Sequence, residues 1–502
     1  MIDIPAEYST GSLYSVRLHG FCGNEYAYYF RINGKRCIDP YATRIFGREK
    51  WNDKTRSDND YEIACGIDSS DFDWKYDSFP EITRDRMKLY KLHVRGFSMD
   101  VSGNKKHKGT FEAVSDRINY IKKLGFTSIL LMPVYEFEEM TIPVKHDIPE
   151  YAKPKYSLKD EQSVHTENDK VNFWGYTSGN YFAVKASYAS DASDASNELR
   201  RLVERLHKNG MECIVEMYFP DRTDHNLILD ALRYWVMSFH VDGFKLLGDR
   251  LPVTAIVQDA LLSRTKILYD GFDMSVVPQN RTYENLYIDK EEYQFAARMM
   301  LNHINCNMYE LLNQQKKQGE NVGFINYISS NNGFTLSDLF MYNDRHNEAN
   351  GEKNADGPSW NFSNNYGCEG PSRKRFIREI RKLKWKDAML LLFLAQGVPM
   401  IMAGDEICNS QDGNNNAYCQ DNPTGWVNWS NEHSRRENIR FLTRLIKFRD
   451  EHPVISCPKP FKFSDYKAVG YPDLSYHCKN AWIGECDATK PVSYTHLRAH
   501  ET

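Results

Sequence analysis

The 502-residue sequence lacks three features that would place it in common classes of protein. It has no basic excess, because 64 Lys and Arg against 68 Asp and Glu give a formal charge of −4, whereas nucleic-acid-binding domains are usually basic. Its longest apolar run covers only residues 388–395, far short of the roughly 18 residues that a membrane-spanning helix needs. The start, MIDIPAEYST, has neither the basic nor the apolar segment of a secretion signal. We therefore expect a cytoplasmic protein with no nucleic-acid or membrane partner.

The eleven cysteines are scattered along the chain and include no C-x-x-C pair. This spacing indicates neither a disulfide framework nor a zinc site, so we expect reduced, mostly buried thiols. No glycine-rich phosphate loop or dinucleotide fingerprint occurs between a predicted strand and a predicted helix. The sequence therefore predicts no cofactor.

The composition, 41% hydrophobic and 26% charged, is typical of a globular protein with a large core. Residues 1–85 are rich in aromatic, strand-like segments, with a hairpin turn predicted at Asn33 and Gly34. From Lys88 to Pro453 buried strands alternate with helices, which predicts βαβ units and a parallel sheet. Seven strands are clear, and a weak sixth strand is predicted at 275–277. The clear strands cover 88–94, 128–134, 213–217, 242–247, 266–270, 324–329 and 399–404.

This strand count favours an α/β fold, a (β/α)8 TIM barrel over residues 86–453, with its chemistry at the carboxyl ends of the strands. Residues 135–195 are polar and irregular and are predicted to form an inserted loop domain over that face. The remaining segments are interpreted as an N-terminal β module, the start of a C-terminal β domain, and a foreign tail from a cloning junction. They cover 1–85, 454–490 and 491–502.

Three blocks of sequence carry a resemblance to a known family. They read HVDGF from His240, INYISSNNGFTLSDLFMYNDRHNEANGE from Ile325, and QGVPMIMAGDE with GNNNAYCQDN within 396–422. These blocks closely resemble the alpha-amylase family of glycoside hydrolases, in particular bacterial glycogen debranching enzymes, isoamylases and pullulanases. The resemblance extends over roughly residues 13–480. It implies the barrel, an N-terminal β-sandwich-like glucan-binding module and a C-terminal β domain that is truncated in this chain.

The family cleaves α-glucosidic bonds with retention, which requires a carboxylate nucleophile and a second carboxyl group about 5 Å away as general acid. The resemblance assigns the nucleophile position to Leu247, the general acid position to Asp270 and the third carboxylate position to Asn332. A hydrocarbon cannot form a glycosyl-enzyme intermediate, Asp270 is shorter than the family's Glu, and an amide brings no negative charge. We therefore expect a pseudoenzyme with impaired catalysis.

Other positions matched by the resemblance are candidates for substrate binding. Trp174 and Tyr176 lie in a Phe-Trp-Gly-Tyr segment that resembles the loop at the entrance to the sugar site, where aromatic rings stack on glucose. The alternative is that these rings only pack the loop onto the barrel. Asp221, Lys245 and Asn331 complete the set of binding candidates.

The third and first strands carry three further predictions. Glu216 and Lys245 stand where the family pairs an Asp with an Arg, so opposite charges are predicted to face each other on neighbouring strands. Pro220 replaces an asparagine that binds calcium in some relatives, so no metal is expected. His93 follows a family pattern and is predicted to be a packed, hydrogen-bonded core histidine.

Three functions are open at this point. The favoured one is a catalytically impaired, debranching-like protein that binds glycogen-like α-glucan or a partner enzyme of glycogen metabolism. The second is an active α-1,6-glucosidase that combines Asp270 with a relocated carboxylate, for which Asp249 is a candidate roughly 6.6 Å beyond Leu247 along the strand. The third is a regulatory or structural partner with no sugar affinity.

Overall fold

The computed structural model describes all of the chain except residues 1, 3, 20–25, 54–62, 77, 101–106, 141–169, 274, 276, 278–282, 306, 320, 466–467 and 478–502. The strands are β1 Ser9–Thr10, β2 Leu13–Tyr14, β3 Phe30–Ile32, β4 Lys35–Cys37, β5 Arg44–Phe46, β6 Ala64–Gly66, β7 Leu89–Leu92, β8 Ser128–Leu131, β9 Tyr135–Phe137, β10 Gly179–Val184, β11 Glu212–Tyr218, β12 Gly243–Leu247, β13 Lys266–Leu268, β14 Leu286–Asp289, β15 Gly323–Asn326 and β16 Val398–Met402. The helices are α1 Val94–Ser98, α2 Phe111–Leu124, α3 Ala195–Lys208, α4 His225–Phe239, α5 Val253–Gln258, α6 Glu291–Leu301, α7 Met308–Gln315, α8 Arg375–Leu394, α9 Asn431–Ser434 and α10 Arg436–Glu451.

The N-terminal region contains short antiparallel pairs of strands, β1 with β2, β3 with β4 and β5 with β6. The predicted turn at Asn33 and Gly34 joins β3 to β4, and these residues have positive φ angles of 49° and 78°. Two successive residues with positive φ give the tight hairpin connection that matches the twist of the strands. The hairpin prediction is confirmed.

Eight parallel strands form a closed barrel in the order β7, β8, β11, β12, β13, β14, β15 and β16, and β16 pairs back with β7. Side chains such as Leu89, Ile214 and Ile325 form one hydrophobic cluster inside the ring of strands. A second, larger cluster joins the outer faces of the strands to the surrounding helices. The predicted (β/α)8 barrel is confirmed.

The sequence pattern predicts helices over 111–123, 196–208, 225–239, 253–262 and 374–395. The observed helix boundaries agree closely with these ranges, with one exception. α4 covers the predicted residues, and α2, α3 and α8 differ from prediction by one residue at one or both ends. α5 ends at Gln258 instead of Leu262, because Asp259 is extended and its carboxylate accepts the N–H groups of Leu261 and Leu262 at 3.0 and 3.1 Å. A short polar side chain that binds nearby backbone donors competes with the helix in this way.

The sixth barrel strand is β14, and the prediction of residues 275–277 for it is wrong. Ser275 lies in a turn, where its N–H donates to Asp273 Oδ1 at 2.9 Å. An Asp side chain that binds the backbone two residues further on stabilises a turn, which keeps this stretch out of the ladder. Leu286 and Tyr287 of β14 are fully buried and pair with β13 instead.

The described part of the predicted inserted loop domain, 135–140 and 170–195, is anchored by the antiparallel pair of β9 and β10. Lys185 Nζ donates to Glu136 Oε1 at 2.8 Å and to Glu139 Oε2 at 2.7 Å, and all three side chains are fully buried. Buried charges are tolerated only when they are paired in this way. The remainder of the predicted loop, 141–169, lies outside the described residues.

The C-terminal segment contacts the barrel through Leu474 and Tyr476, which pack in one cluster with Leu312 of α7. Residues 478–502, which include the predicted foreign tail, lie outside the described residues. The predicted domain limits therefore stay predictions. Within the described ranges no helix is long and apolar enough to cross a membrane, and the cytoplasmic location stays a prediction.

The cysteines are more accessible than the sequence suggested. Of the seven that the structure describes, all are free thiols, Cys65 and Cys213 are buried, and the other five are half-buried. The prediction of mostly buried thiols is wrong for these seven, because most of them lie on loops and short N-terminal strands, outside the barrel core.

Candidate functional site

Five charged residues meet at the carboxyl ends of the barrel strands, and we call them the ionic cluster. Its members are Lys91 on β7, Glu216 on β11, Lys245 on β12, Asp270 after β13 and Asp289 on β14. Side chains two residues apart on a strand share a face, so Glu216 points inward like Ile214. Lys245 is the residue paired with Glu216 on the neighbouring strand. The cluster therefore lies at the face of the barrel where (β/α)8 proteins carry their chemistry.

Glu216 is the centre of the ionic cluster and is fully buried. Its carboxylate lies 2.6 Å from Lys91 Nζ and 3.9 Å from Lys245 Nζ. It also accepts a hydrogen bond from Tyr176 OH at 2.5 Å, and Lys91 Nζ donates to Asn331 Oδ1 at 2.8 Å. Glu216 and Lys245 face each other as predicted, but Lys91 forms the closer ion pair with Glu216.

Burial and neighbouring charges shift the pKa values of Lys245 and Asp270 within the cluster. Lys245 forms its closest ion pair with Asp289, and Asp270 Oδ1 accepts the backbone N–H of Asp289 at 2.9 Å. Burial alone would lower the pKa of Lys245, but Asp289 and Glu216 outweigh it and raise that pKa well above its ordinary value. Burial, followed by the Asp289 charge, raises the pKa of Asp270 to about 6. Lys245 is therefore a fixed cation at neutral pH, and Asp270 titrates close to neutrality.

Of the three positions matched to catalytic residues, only Asp270 belongs to the ionic cluster. Its Oδ1 accepts the backbone N–H of Asp289. Leu247 is the half-buried last residue of β12, and Asn332 is exposed. Asp221, a binding candidate, is exposed as well, and within the described part of the chain neither its side chain nor that of Asn332 is hydrogen-bonded to the cluster.

Trp174 is packed among the side chains of its own loop and the asparagine-rich block. It is 8% exposed and lies in a cluster with Phe173 and Ala417. A cavity of about 50 Å³ lies between Trp174 and Asn331. One water molecule takes about 30 Å³ of liquid volume, so this cavity is too small for a hexose ring. Packing accounts for the position of Trp174, and stacking on sugar stays a prediction.

His93 follows β7 and is hydrogen-bonded at both ring nitrogens. Its Nδ1 accepts the N–H of Gly96 at 2.9 Å, and its Nε2 lies 2.7 Å from Phe173 O and 3.0 Å from Tyr188 OH. Because Nδ1 accepts, the proton is on Nε2 and is donated to Phe173 O. Burial lowers the pKa of His93 to about 4. The prediction of a packed core histidine is confirmed.

The asparagine-rich block shapes a loop beside the barrel mouth. The side-chain amide of Asn415 donates to Pro358 O at 3.0 Å and to Asn361 Oδ1 at 2.8 Å. Asn347 and Asn415 also bond reciprocally, since the backbone N–H of Asn415 donates to Asn347 Oδ1 at 3.0 Å and Asn347 Nδ2 donates to Asn415 Oδ1 at 2.9 Å. These amides connect two loops, which is a structural role.

The position matched to a calcium-binding asparagine is occupied by a turn. Pro220 O accepts the N–H of Thr223 at 3.1 Å and its hydroxyl at 2.7 Å. In the ranges that the structure describes, no three His, Cys, Asp or Glu side chains are grouped so that they could hold a metal ion.

Lys91 and Asp289 are the members of the site that sequence reasoning missed. Lys91 is a lone charge in the otherwise apolar strand Leu89–Leu92 and shares its inward face with Leu89. Lysine is rarely buried without a partner, so this charge was a usable signal for a buried acid nearby. Asp289 is the last residue of β14, the strand whose position was predicted wrongly, so its place in the site was not predicted either.

Replacing Asp270 with Asn is expected to change how stability depends on pH. The folded-state pKa of about 6 lies above the roughly 3.9 of an unfolded Asp, so between these values the folded state holds a proton that the unfolded state releases. The free energy of unfolding of the parent, compared with that of Asp270→Asn, therefore falls as the pH rises from about 4 to about 6. Above about pH 7 the difference between the two free energies no longer changes. Urea unfolding of both proteins across this range measures the effect. A difference that does not vary with pH would contradict it.

The closed ring of eight parallel strands, with charged residues at their carboxyl ends, defines a (β/α)8 barrel protein. The family of alpha-amylase catalytic domains matches residues 101–225. The chain is 28% identical to chloroplastic isoamylase 1 of Arabidopsis thaliana, over 88% of this chain and 66% of that protein. It is also 28% identical to the glycogen debranching enzyme of Enterobacter sp. (strain 638), over 89% of this chain and 76% of that enzyme. It thus spans slightly less than two thirds of the plant relative.

Solved structures share this fold. The apo pullulanase from Paenibacillus barengoltzii matches with a TM-score of 0.59 at 17% identity, over 86% of this chain and 71% of the pullulanase. Pullulanase from Bacillus acidopullulyticus matches with a TM-score of 0.60 at 18% identity, over 86% of this chain and 56% of that protein. At such identities the likeness shows the fold. The resemblance to the alpha-amylase family is confirmed, and the relatives in sequence are isoamylases and glycogen debranching enzymes.

Proposed function

We propose that this chain is a catalytically impaired protein of the glycogen debranching group that binds glycogen-like α-glucan. The observation that carries the proposal is Leu247, which ends β12 at the position that the resemblance assigns to the nucleophile. Retaining cleavage requires a covalent bond between a carboxylate and the sugar. A hydrocarbon side chain cannot form that bond.

The charges around Leu247 support the same proposal. Glu216 is buried between Lys91 and Lys245, and Asp289 is paired with Lys245. In the cleavage reaction positive charge develops on the sugar ring, in an oxocarbenium-like transition state. Carboxylates stabilise such a charge, but here Glu216 and Asp289 are each already paired with a lysine ammonium group.

Glucan binding is supported by polar groups at the same face. Asp221 and Asn332 are exposed, and Asn331 is half-buried. Amide and carboxylate side chains are the groups that bind sugar hydroxyls by hydrogen bonds. One of the relatives in sequence is named for the debranching of glycogen. A partner enzyme of glycogen metabolism is the other ligand that this proposal includes.

Asn332→Ala is expected to weaken the retardation of the protein in native gels that contain glycogen. Losing one hydrogen bond to the glucan should reduce the apparent affinity about threefold to tenfold. The matched control is Asn119→Ala, an exposed position on α2 away from the barrel mouth, which should migrate like the parent. If glycogen does not retard the folded parent, glucan binding is wrong and a partner without sugar affinity is favoured.

One observation favours a second candidate function, an active α-1,6-glucosidase. Asp270 and Asp289 are neighbours; Asp289 is paired with the Lys245 cation, whereas burial and the Asp289 charge raise the pKa of Asp270 to about 6. Two carboxyl groups in such different environments resemble the pairing of a nucleophile with a general acid. Asp249 is exposed in the loop after β12, so Asp289 is the better candidate for a relocated nucleophile.

A further inference from the structure

A cleft of about 570 Å³ lies on the outside of the barrel, between the C-terminal half of α2 and the helices α9 and α10. The cleft lies between helices on the outer surface, and none of its lining residues belongs to the ionic cluster. The cleft is therefore separate from the candidate site. Its volume falls in the range of about 300–1,000 Å³ that is typical of sites for small organic ligands.

The floor of the cleft is apolar, aromatic and held in place. Tyr120 and Trp429 line it. The Trp429 indole N–H donates to Phe97 O at 2.5 Å, and Tyr120 OH donates to Glu406 Oε1 at 3.0 Å. Arg117 lies over the Trp429 ring at 4.2 Å and Trp429 is only 5% exposed, so the half-buried Tyr120 ring supplies most of the aromatic surface for the body of a ligand.

The rim of the cleft carries positive charge that the described residues do not neutralise. Lys123 and Arg436 line it and are exposed, and neither forms an ion pair within the described part of the chain. Glu432, the acidic residue of the lining, is paired with Arg117 at 2.9 Å. Glu437, next to Arg436, pairs instead with Lys382 at 2.7 Å. His433 adds a further imidazole to the rim.

We propose that this cleft binds a small organic phosphate monoester, with the phosphate at Lys123 and Arg436 and the sugar or base on the aromatic floor. Arg and Lys are the side chains that bind phosphate through charge-assisted hydrogen bonds. The aromatic floor calls for an organic body, because inorganic phosphate alone would leave most of the cleft unfilled. A sugar phosphate and a nucleoside monophosphate share this chemistry, and the experiment distinguishes them.

Isothermal titration calorimetry of the full chain with glucose 6-phosphate and with adenosine monophosphate tests the proposal. At least one ester should bind saturably, and glucose, adenosine and inorganic phosphate should bind at least tenfold more weakly than that ester. Lys123→Ala and Arg436→Ala should each weaken its binding about tenfold, as expected for the loss of one charged hydrogen bond. The matched control is Lys122→Ala, an exposed neighbour outside the lining, which should bind like the parent.

The proposal is overturned if neither ester binds, if a neutral counterpart or inorganic phosphate binds as tightly as its ester, or if both lining variants bind like the parent. All of these substitutions are at exposed positions, so circular dichroism should show parent-like folding. The cleft lies away from the barrel mouth, so these outcomes are independent of whether glycogen is bound there.

Discussion

The Glu216→Gln protein is expected to unfold with a free energy about 3–5 kcal/mol below that of the parent. Glu216 is fully buried, and its carboxylate is the counter-ion 2.6 Å from Lys91 Nζ. The amide keeps the shape of the side chain and can still accept the hydrogen bond from Tyr176, but it removes the charge. Lys91, whose pKa burial already lowers against the pull of Glu216, then loses its counter-ion. Urea unfolding at neutral pH measures the loss.

Two controls test whether the loss of stability comes from the removed charge. Adding Lys91→Met to Glu216→Gln removes the orphaned cation and should recover more than half of the lost stability, since neighbouring substitutions couple. Glu451→Gln breaks an exposed pair with Lys447, whose side chains are 56% and 74% exposed, and should change stability by no more than about 0.5 kcal/mol. A loss for Glu216→Gln as small as that of the surface control would show that the ionic cluster is not buried as described.

The Lys185→Met protein is expected to lose a similar amount, about 3–5 kcal/mol at neutral pH. Glu136 and Glu139 are both fully buried and share the Lys185 ammonium. Burial raises the pKa of Glu136 even with Lys185 in place, so without the lysine the two carboxylates must take up protons or remain unpaired. The loss should therefore be smaller at pH 5 than at pH 8, because protonation relieves the unpaired charge.

The matched control for Lys185→Met is Lys447→Met, which removes the exposed partner of Glu451. It should leave the free energy of unfolding within about 0.5 kcal/mol of the parent at both pH values. A Lys185→Met protein that is destabilised equally at pH 5 and pH 8 would contradict the explanation by unpaired carboxylates. The loss would then come from the packing of the lysine stem.

Most of the barrel was predictable from local sequence, because its strands are short buried runs and its helices end at clear signals. α2, for example, begins after Thr110, whose hydroxyl caps it, and ends at Gly125 in the left-handed region. β14 was not predictable in the same way. Its four residues look no more strand-like than the apolar residues near 275, and only pairing with β13 and β15, across the chain, distinguishes the two stretches.

The candidate site was predictable where a residue could be matched to a family position, and less so where charges combine across strands. Lys245 and Glu216 were expected to face each other, and they are registered neighbours. The closer partners, Lys91 for Glu216 and Asp289 for Lys245, come from strands that are distant in sequence. Such pairings depend on the closure of the barrel, which sequence spacing does not encode.

The release of reducing ends from glycogen, pullulan and a linear maltooligosaccharide, over a long incubation with protein shown to be folded by circular dichroism, tests the central claim most directly. With Leu247 at the nucleophile position, we predict no turnover above that of an Asp289→Asn control. Turnover by the parent that is lost in Asp289→Asn and in Asp270→Asn would contradict the claim. It would instead identify those two carboxyl groups as the nucleophile and general acid of an active glucosidase.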